Sequence, residues 1–167
     1  AFFCFPGILK EYVQFRLGMI YLSSKVRKYK KGKGKQPMIK IDDWVIEKGE
    51  KAQGKIKITG YGIAMPATVI CGVKDGPTIL ITAGIHSAEY VGIQAAMELA
   101  KEFQPEELKG NVIIVPLVNV SGFEHRTMSL VYEDGKNLNR VFPGDPEGTA
   151  ADRIAYTIVT KLFSIAD

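Results

Sequence analysis

Histidine, cysteine and tryptophan are scarce in this chain, at two, two and one of 167 residues. Cys4 and Cys71 are too few, and too far apart in context, for a disulfide framework or a cysteine-type zinc site. A reducing compartment is the default, and the expected location is the cytoplasm. No apolar stretch approaches the ~20 residues of a membrane helix. The longest uncharged opening, Ala1 to Leu9, falls far short and lacks the basic residues that precede a signal-peptide core. A nucleophile elbow is excluded, because no Gly-x-Ser-x-Gly surrounds Ser87. A dinucleotide site is disfavoured, because no Gly-x-Gly-x-x-Gly opens the helix expected at 88. There is no internal repeat.

What is present describes one globular domain, with 46% hydrophobic and 24% charged residues and enough length to bury a core. The formal charge of +4 is unevenly placed. Residues 1–37 carry nine basic side chains and one acidic one, leaving 13 basic against 17 acidic in residues 38–167. Because the excess is confined to Lys25–Lys35 rather than spread over the fold, nucleic acid is discounted as a partner. Lys30–Pro37 reads as a basic flexible linker. The domain boundary is drawn there, separating a tail and linker (1–37) from the domain (38–167). Residues 8–29 have loose helical spacing (Ile8, Tyr12, Phe15, Met19, Leu22, Val26), which allows an amphipathic helix or a tail unrelated to the fold. The chain begins with Ala, and Met38 is a candidate natural start.

Along the domain, Lys55–Thr59 alternates as a strand with one wet face, and Pro66–Cys71 follows after a Gly-Tyr-Gly turn. These two read as an antiparallel meander at one edge of a sheet. Pro77–Ala83 is a short apolar run bounded by turn residues, as expected of a strand buried on both faces. A helix is expected over about 88–103, capped by Ser87, with Gln94, Glu98, Lys101 and Glu102 on its polar side and Val91, Ala95, Ala96, Leu99 and Ala100 away from it. A second apolar strand, 111–118, has Pro116 near its end. Strand, helix, strand at this spacing predicts a right-handed parallel crossover, whose carboxyl ends share the edge where open α/β sheets bind ligands. The expected class is α/β with a mixed, mainly parallel sheet and flanking helices.

Two groups of polar residues fall at that edge. His86 ends the first crossover strand, and Glu89, expected one turn into the helix, can swing to the same side. A neutral imidazole and a carboxylate are two of the usual three protein ligands of a catalytic zinc. Taken alone, the pair also reads as a loop histidine beside a first-turn glutamate favoured by the helix dipole. After Val118 come about thirty residues without sustained periodicity, and a loop that long is usually functional. It holds His125, Arg126 and Asp134–Gly144, where Asn137, Asn139 and Arg140 offer amides and a two-toothed grip on a carboxylate. The plainer reading is a turn with capping asparagines and a surface arginine. Thr149 and Asp152 then open a last helix with a capping box, its apolar side formed by Ile154, Ala155, Ile158, Val159, Leu162 and Phe163.

The order of these pieces carries more than any one of them. Gly84-Ile-His-Ser-Ala-Glu89, then Val115-Pro-Leu-Val-Asn119 with Gly122-Phe-Glu124, then Asp134-Gly-Lys-Asn-Leu-Asn-Arg-Val-Phe-Pro-Gly144 resembles the succinylglutamate desuccinylase/aspartoacylase family, zinc enzymes related to the metallocarboxypeptidases. The resemblance runs from about Lys48 to Asp167, or 120 of 167 residues. It implies a zinc carboxypeptidase-like fold, incomplete at its C-terminal side, and a Zn2+-dependent deacylase acting on a small substrate with a free carboxylate. By resemblance His86 and Glu89 are metal ligands, Asn137, Asn139 and Arg140 bind substrate, and Arg126 is the catalytic arginine that polarises the scissile carbonyl. Many relatives place that arginine two residues later, where this chain has Met128, and many have Gly-Asp where it has Ser87-Ala88. The family's third ligand, a histidine, and its general-base glutamate come from a later segment, and His125 matches no ligand position. The 167-residue chain alone is therefore expected to be inactive. A carboxypeptidase acting on peptide C-termini and a non-catalytic carboxylate-binding remnant are the alternatives. The acyl group, the amino acid and the oligomeric state are not legible.

Overall fold

The computed structural model describes residues 14–15, 18–19, 21–23 and 39–167. Nine strands and three helices follow in order: β1 (Gln14–Phe15), β2 (Gly18–Met19), β3 (Tyr21–Ser23), β4 (Ile39–Ile41), β5 (Trp44–Ile46), β6 (Lys51–Lys57), β7 (Ala64–Cys71), β8 (Lys74–Thr82), α1 (Tyr90–Glu102), β9 (Lys109–Val115), α2 (Val120–Glu124) and α3 (Ala150–Thr157). The main sheet has the order β3-β8-β9-β7-β6.

The crossover forms as its sequence requires. Strands β8 and β9 pair in parallel from Thr78↔Asn111 to Thr82↔Val115, with α1 between them in the chain. Their carboxyl ends thus share one sheet edge, and Pro116 falls just past the ladder, where its missing amide costs nothing. Strands β6 and β7 form the antiparallel meander, with β6 at the edge. The sheet is mixed, as expected, but within the described residues β8/β9 is its one parallel pair, because β7 joins β9 antiparallel.

Alternation along the strands sorts the core into two layers. Ile70, Ile81, Val112 and Ile114 pack with Ala96 and Ala100 of α1. Val69, Cys71, Leu80, Ile113 and Val115 face the other way, into a larger core with Ile154, Ala155, Ile158 and Leu162. Met65 and Ile56 belong to that larger core, where a β4–β5 hairpin not anticipated from the sequence adds Ile39, Ile41 and Ile46. Thr149 and Asp152 make the expected capping box on α3, and the chain continues as a π-helical turn, Ile158–Phe163.

Four expectations are corrected. Within 8–29, the described residues are extended rather than helical, and β3 pairs antiparallel with β8; the linker at 30–37 lies outside the described residues. Ser87 does not cap α1, whose N-cap is Glu89 without a side-chain cap bond. Glu89 accordingly precedes the helix instead of sitting one turn inside it. Val91, assigned to the apolar side, is 61% exposed, and Ile93 takes the buried position. At about 3.6 residues per turn Val91 lies roughly opposite Ile93 and Ala100, so it cannot share their buried side. Among the described residues, no helix is long and apolar enough to cross a membrane.

Candidate active site

The loop from β8 to α1 is fixed before any side chain enters it. Ala83 N–H donates to Val115 O, Val118 N–H to Ala83 O, and Asn119 N–H to Gly84 O, lacing the two strand ends together. Gly84 has φ +64°, and a Cβ there would meet Leu117 Cδ1 at 2.8 Å, so both conformation and space call for glycine. Glu89 N–H then closes a turn onto His86 O at 3.1 Å. That turn sets the two side chains together, with His86 Nδ1 3.2 Å from Glu89 Oε1. Both remain partly open, at 23% and 29% side-chain exposure.

The other ring nitrogen meets Asn137, where Nε2 lies 3.0 Å from Oδ1. The same oxygen accepts Asn139 N–H at 3.0 Å. A backbone amide can only donate, so the atom facing it must be the amide oxygen. An oxygen can only accept, so His86 Nε2 carries a proton toward it. A ring carrying that proton alone would leave its Nδ1 lone pair facing a carboxylate oxygen. Two acceptors at 3.2 Å need a cation between or beside them, either a proton or a metal ion. An imidazole nitrogen and a carboxylate oxygen form a donor set suited to zinc. Among the described residues, no third His, Cys, Asp or Glu joins the pair.

Asn137, Asn139 and Arg140 arrive on a 3₁₀ turn, Leu138–Arg140, with Asn137 as its cap. Leu138 is fully buried and pins the turn to the core, whereas Arg140 is exposed. The Arg140 guanidinium donates to Asn139 O at 3.2 Å. His86, Glu89 and the Asn137 turn are therefore brought together. The oxygen of Asn137, expected at the substrate, is engaged by His86 and Asn139 instead.

Arg126 is exposed and follows α2 in a left-handed conformation, φ 57°, as does Met128 at φ 59°. Ser87 Oγ donates to Met128 O at 2.7 Å, which ties this loop to the metal-side loop two residues beyond Arg126. Ser87 thus has a role that its position before a helix concealed. Asn119 is another such residue: fully buried, it accepts Gly122 N–H and donates to Leu130 O, capping α2 and anchoring the loop. His125 stacks on Tyr132, with centroids 3.6 Å apart, and does not join His86 and Glu89.

The description of the succinylglutamate desuccinylase/aspartoacylase catalytic domain matches residues 75–167, more than half of the chain. The chain belongs to this family. It is 37% identical over 111 residues to the N-alpha-acetyl-L-2,4-diaminobutyric acid deacetylase of Halomonas elongata, a match covering 65% of this chain and 32% of that protein. Among solved structures it resembles the succinylglutamate desuccinylase/aspartoacylase from Rhodobacter sphaeroides, with TM-score 0.64 and 35% identity over 70% of this chain and 38% of the other. The product-bound ectoine utilization protein EutE (DoeB) from Ruegeria pomeroyi gives TM-score 0.65 and 32% identity, covering 80% and 42%. The chain therefore spans about a third of the deacetylase and about two fifths of these solved relatives.

Proposed function

We propose that this chain supplies the first metal ligands and the carboxylate-binding turn of a zinc-dependent deacylase that cleaves the amide of an N-acyl amino acid. The observation that supports this most is the opposed pair of His86 Nδ1 and Glu89 Oε1, in a tautomer fixed by Asn137. The deacetylase and desuccinylase relatives give the substrate class.

His86 and Glu89 would hold the zinc, which supplies Lewis acidity and a water acidic enough to react near neutral pH. Arg140 and Asn139 take the substrate carboxylate, a planar guanidinium being suited to a two-toothed grip. Arg126 donates to the carbonyl oxygen as it gains charge. Asn137 orients the His86 ring rather than contacting substrate. The amide C–N bond breaks, a C–O bond forms from water, and the leaving amine takes a proton. A third ligand and a general base lie outside these 167 residues, so the chain alone binds zinc weakly and turns over nothing at an enzymatic rate. The working location is the cytoplasm.

Titration calorimetry with zinc, together with assays on N-acetyl and N-succinyl amino acids against short peptides, tests this reading. Turnover of acyl amino acids over peptides is expected from the full-length protein. Arg140→Lys should raise KM on the order of tenfold or more, as an ammonium loses the bidentate contact. Preference for peptides would favour a carboxypeptidase. Absence of zinc binding by the full-length protein would favour a non-catalytic carboxylate binder.

A further inference from the structure

Asp134, Lys136 and Asp152 have no part in the chemistry above, yet they build the densest polar cluster in the long loop. Asp134 Oδ1 accepts Lys136 N–H at 3.0 Å, while its Oδ2 accepts Ala151 N–H at 2.8 Å and lies 2.6 Å from Thr149 Oγ1. Lys136 Nζ donates to Asp152 Oδ2 at 2.6 Å, and the same oxygen accepts Thr149 N–H at 3.0 Å. One aspartate thus reaches from the loop to the first turn of α3, and one lysine reaches across to the helix's own capping carboxylate. Helix α3 is anchored in the larger core through Ala151, Ile154 and Ala155. On the loop side, Lys136 O accepts Val131 N–H at 2.9 Å, and Asn137 forms a bridge to Leu130. The residue after Lys136 is Asn137, whose oxygen meets His86.

We propose that Asp134, Lys136 and Asp152 are positioning residues, forming a brace from α3 that holds Asn137 and, through it, the orientation of the His86 ring. Asn137 receives its place from both sides: Leu138 sinks into the core behind it, and Asp134 and Lys136 fix the backbone ahead of it. Without the brace, the backbone ahead of Asn137 is left to the Val131 bond and the Leu130 bridge, and its side chain to Asn139 N–H and the ring itself. The ring opposite would then lose a fixed partner at Nε2 and turn more freely, presenting Nδ1 less steadily beside Glu89. The brace's effect on metal affinity rests on His86 being a ligand; its effect on the ring does not.

The chain has two histidines, so long-range proton–nitrogen NMR of the metal-free protein reads His86 directly, with His125 as an internal control. Wild type should show a His86 Nε2 proton protected from exchange by its bond to Asn137. Lys136→Met and Asp134→Asn should each speed that exchange while His125 is unchanged, and Lys136→Arg should restore it. Loss of a direct outer partner costs about 10–100-fold in metal affinity, so in chelator competition with zinc this more distant brace should cost ~3–10-fold. Because Asp134→Asn removes a helix-start contact and can impair folding, the surface change Lys136→Met carries the decision. An Nε2 proton as protected as in wild type and zinc affinity within twofold of it in Lys136→Met, with only the melting temperature lowered, would overturn the proposal. If the full-length protein bound no zinc, the zinc reading would fall while the ring spectrum still decided the brace.

Discussion

The two loops that meet at the site are built on opposite principles. Residues 83–89 are short and inherit their position from the ends of β8 and β9, through backbone bonds, a glycine in a left-handed conformation and the buried Ile85. Residues 119–149 are long, and what order they have comes from side chains: Asn119 capping α2, Leu138 buried, Asp134 and Lys136 reaching α3. The first loop presents the candidate ligands, and the second fixes how one of them is oriented. Changes in the second loop therefore reach the candidate ligands chiefly through Asn137, while the strand ends keep the first loop's backbone in place.

The contrast breaks most severely at the long loop's apolar anchor. Leu138→Ala should cost about 2–5 kcal/mol in urea unfolding, the range for a fully buried leucine. It should also release the Asn137 turn, whereas in 83–89 the buried Ile85 is backed by the backbone bonds to the strand ends. A loss below about 1 kcal/mol would show that the turn is held by its polar bonds alone. Asn119→Ala comes next, at about 1–3 kcal/mol, since it removes a helix cap and one of the two donors to Leu130 O, leaving the Thr127 hydroxyl there. Ser87→Ala, which cuts one of the two side-chain ties between the loops and leaves that of His86 to Asn137, should cost about 1 kcal/mol. Hydrogen exchange at residues 126–130 should quicken while that of β8 stays as it was; equal quickening in both would mean that the loops are not independently built.

How much of this was legible follows the same division. The crossover strands, α1 and the capping box of α3 announce themselves through periodicity, and with them the edge at which His86 and Glu89 lie. Glu89's place at the cap rather than inside the helix was hidden, because Ser87 is the better capping residue by type and its hydroxyl had gone to Met128, a partner 41 residues away. The same holds for Asn137: a side chain that meets an imidazole 51 residues earlier leaves no local signature. The β4–β5 hairpin escaped because three-residue strands turning through Asp42, at φ 51°, fall below the length at which alternation can be read.

The smallest effect is the one that separates charge from packing in the brace. The Lys136 ammonium, bonded to Asp152, holds that carboxyl below the usual aspartate range, helped by the Thr149 hydroxyl and amide. The same bond raises Lys136. A depressed carboxyl contributes stability above its unfolded pKa of about 3.9 and loses it as pH falls through the folded value. A raised lysine contributes below its unfolded pKa of about 10.4 and loses it as pH climbs through the folded value. The pair is therefore fully effective between about pH 4 and pH 10. Lys136 is 43% exposed, so solvent and salt screen most of the attraction. Urea midpoints of wild type and Lys136→Met should differ slightly at pH 7 and low salt. They should converge as pH falls well below 4, and also in ~1 M salt, where the Debye length is about 3 Å. A difference that survived both acid and salt would mean that the lysine's methylene stem, rather than its charge, supports the loop.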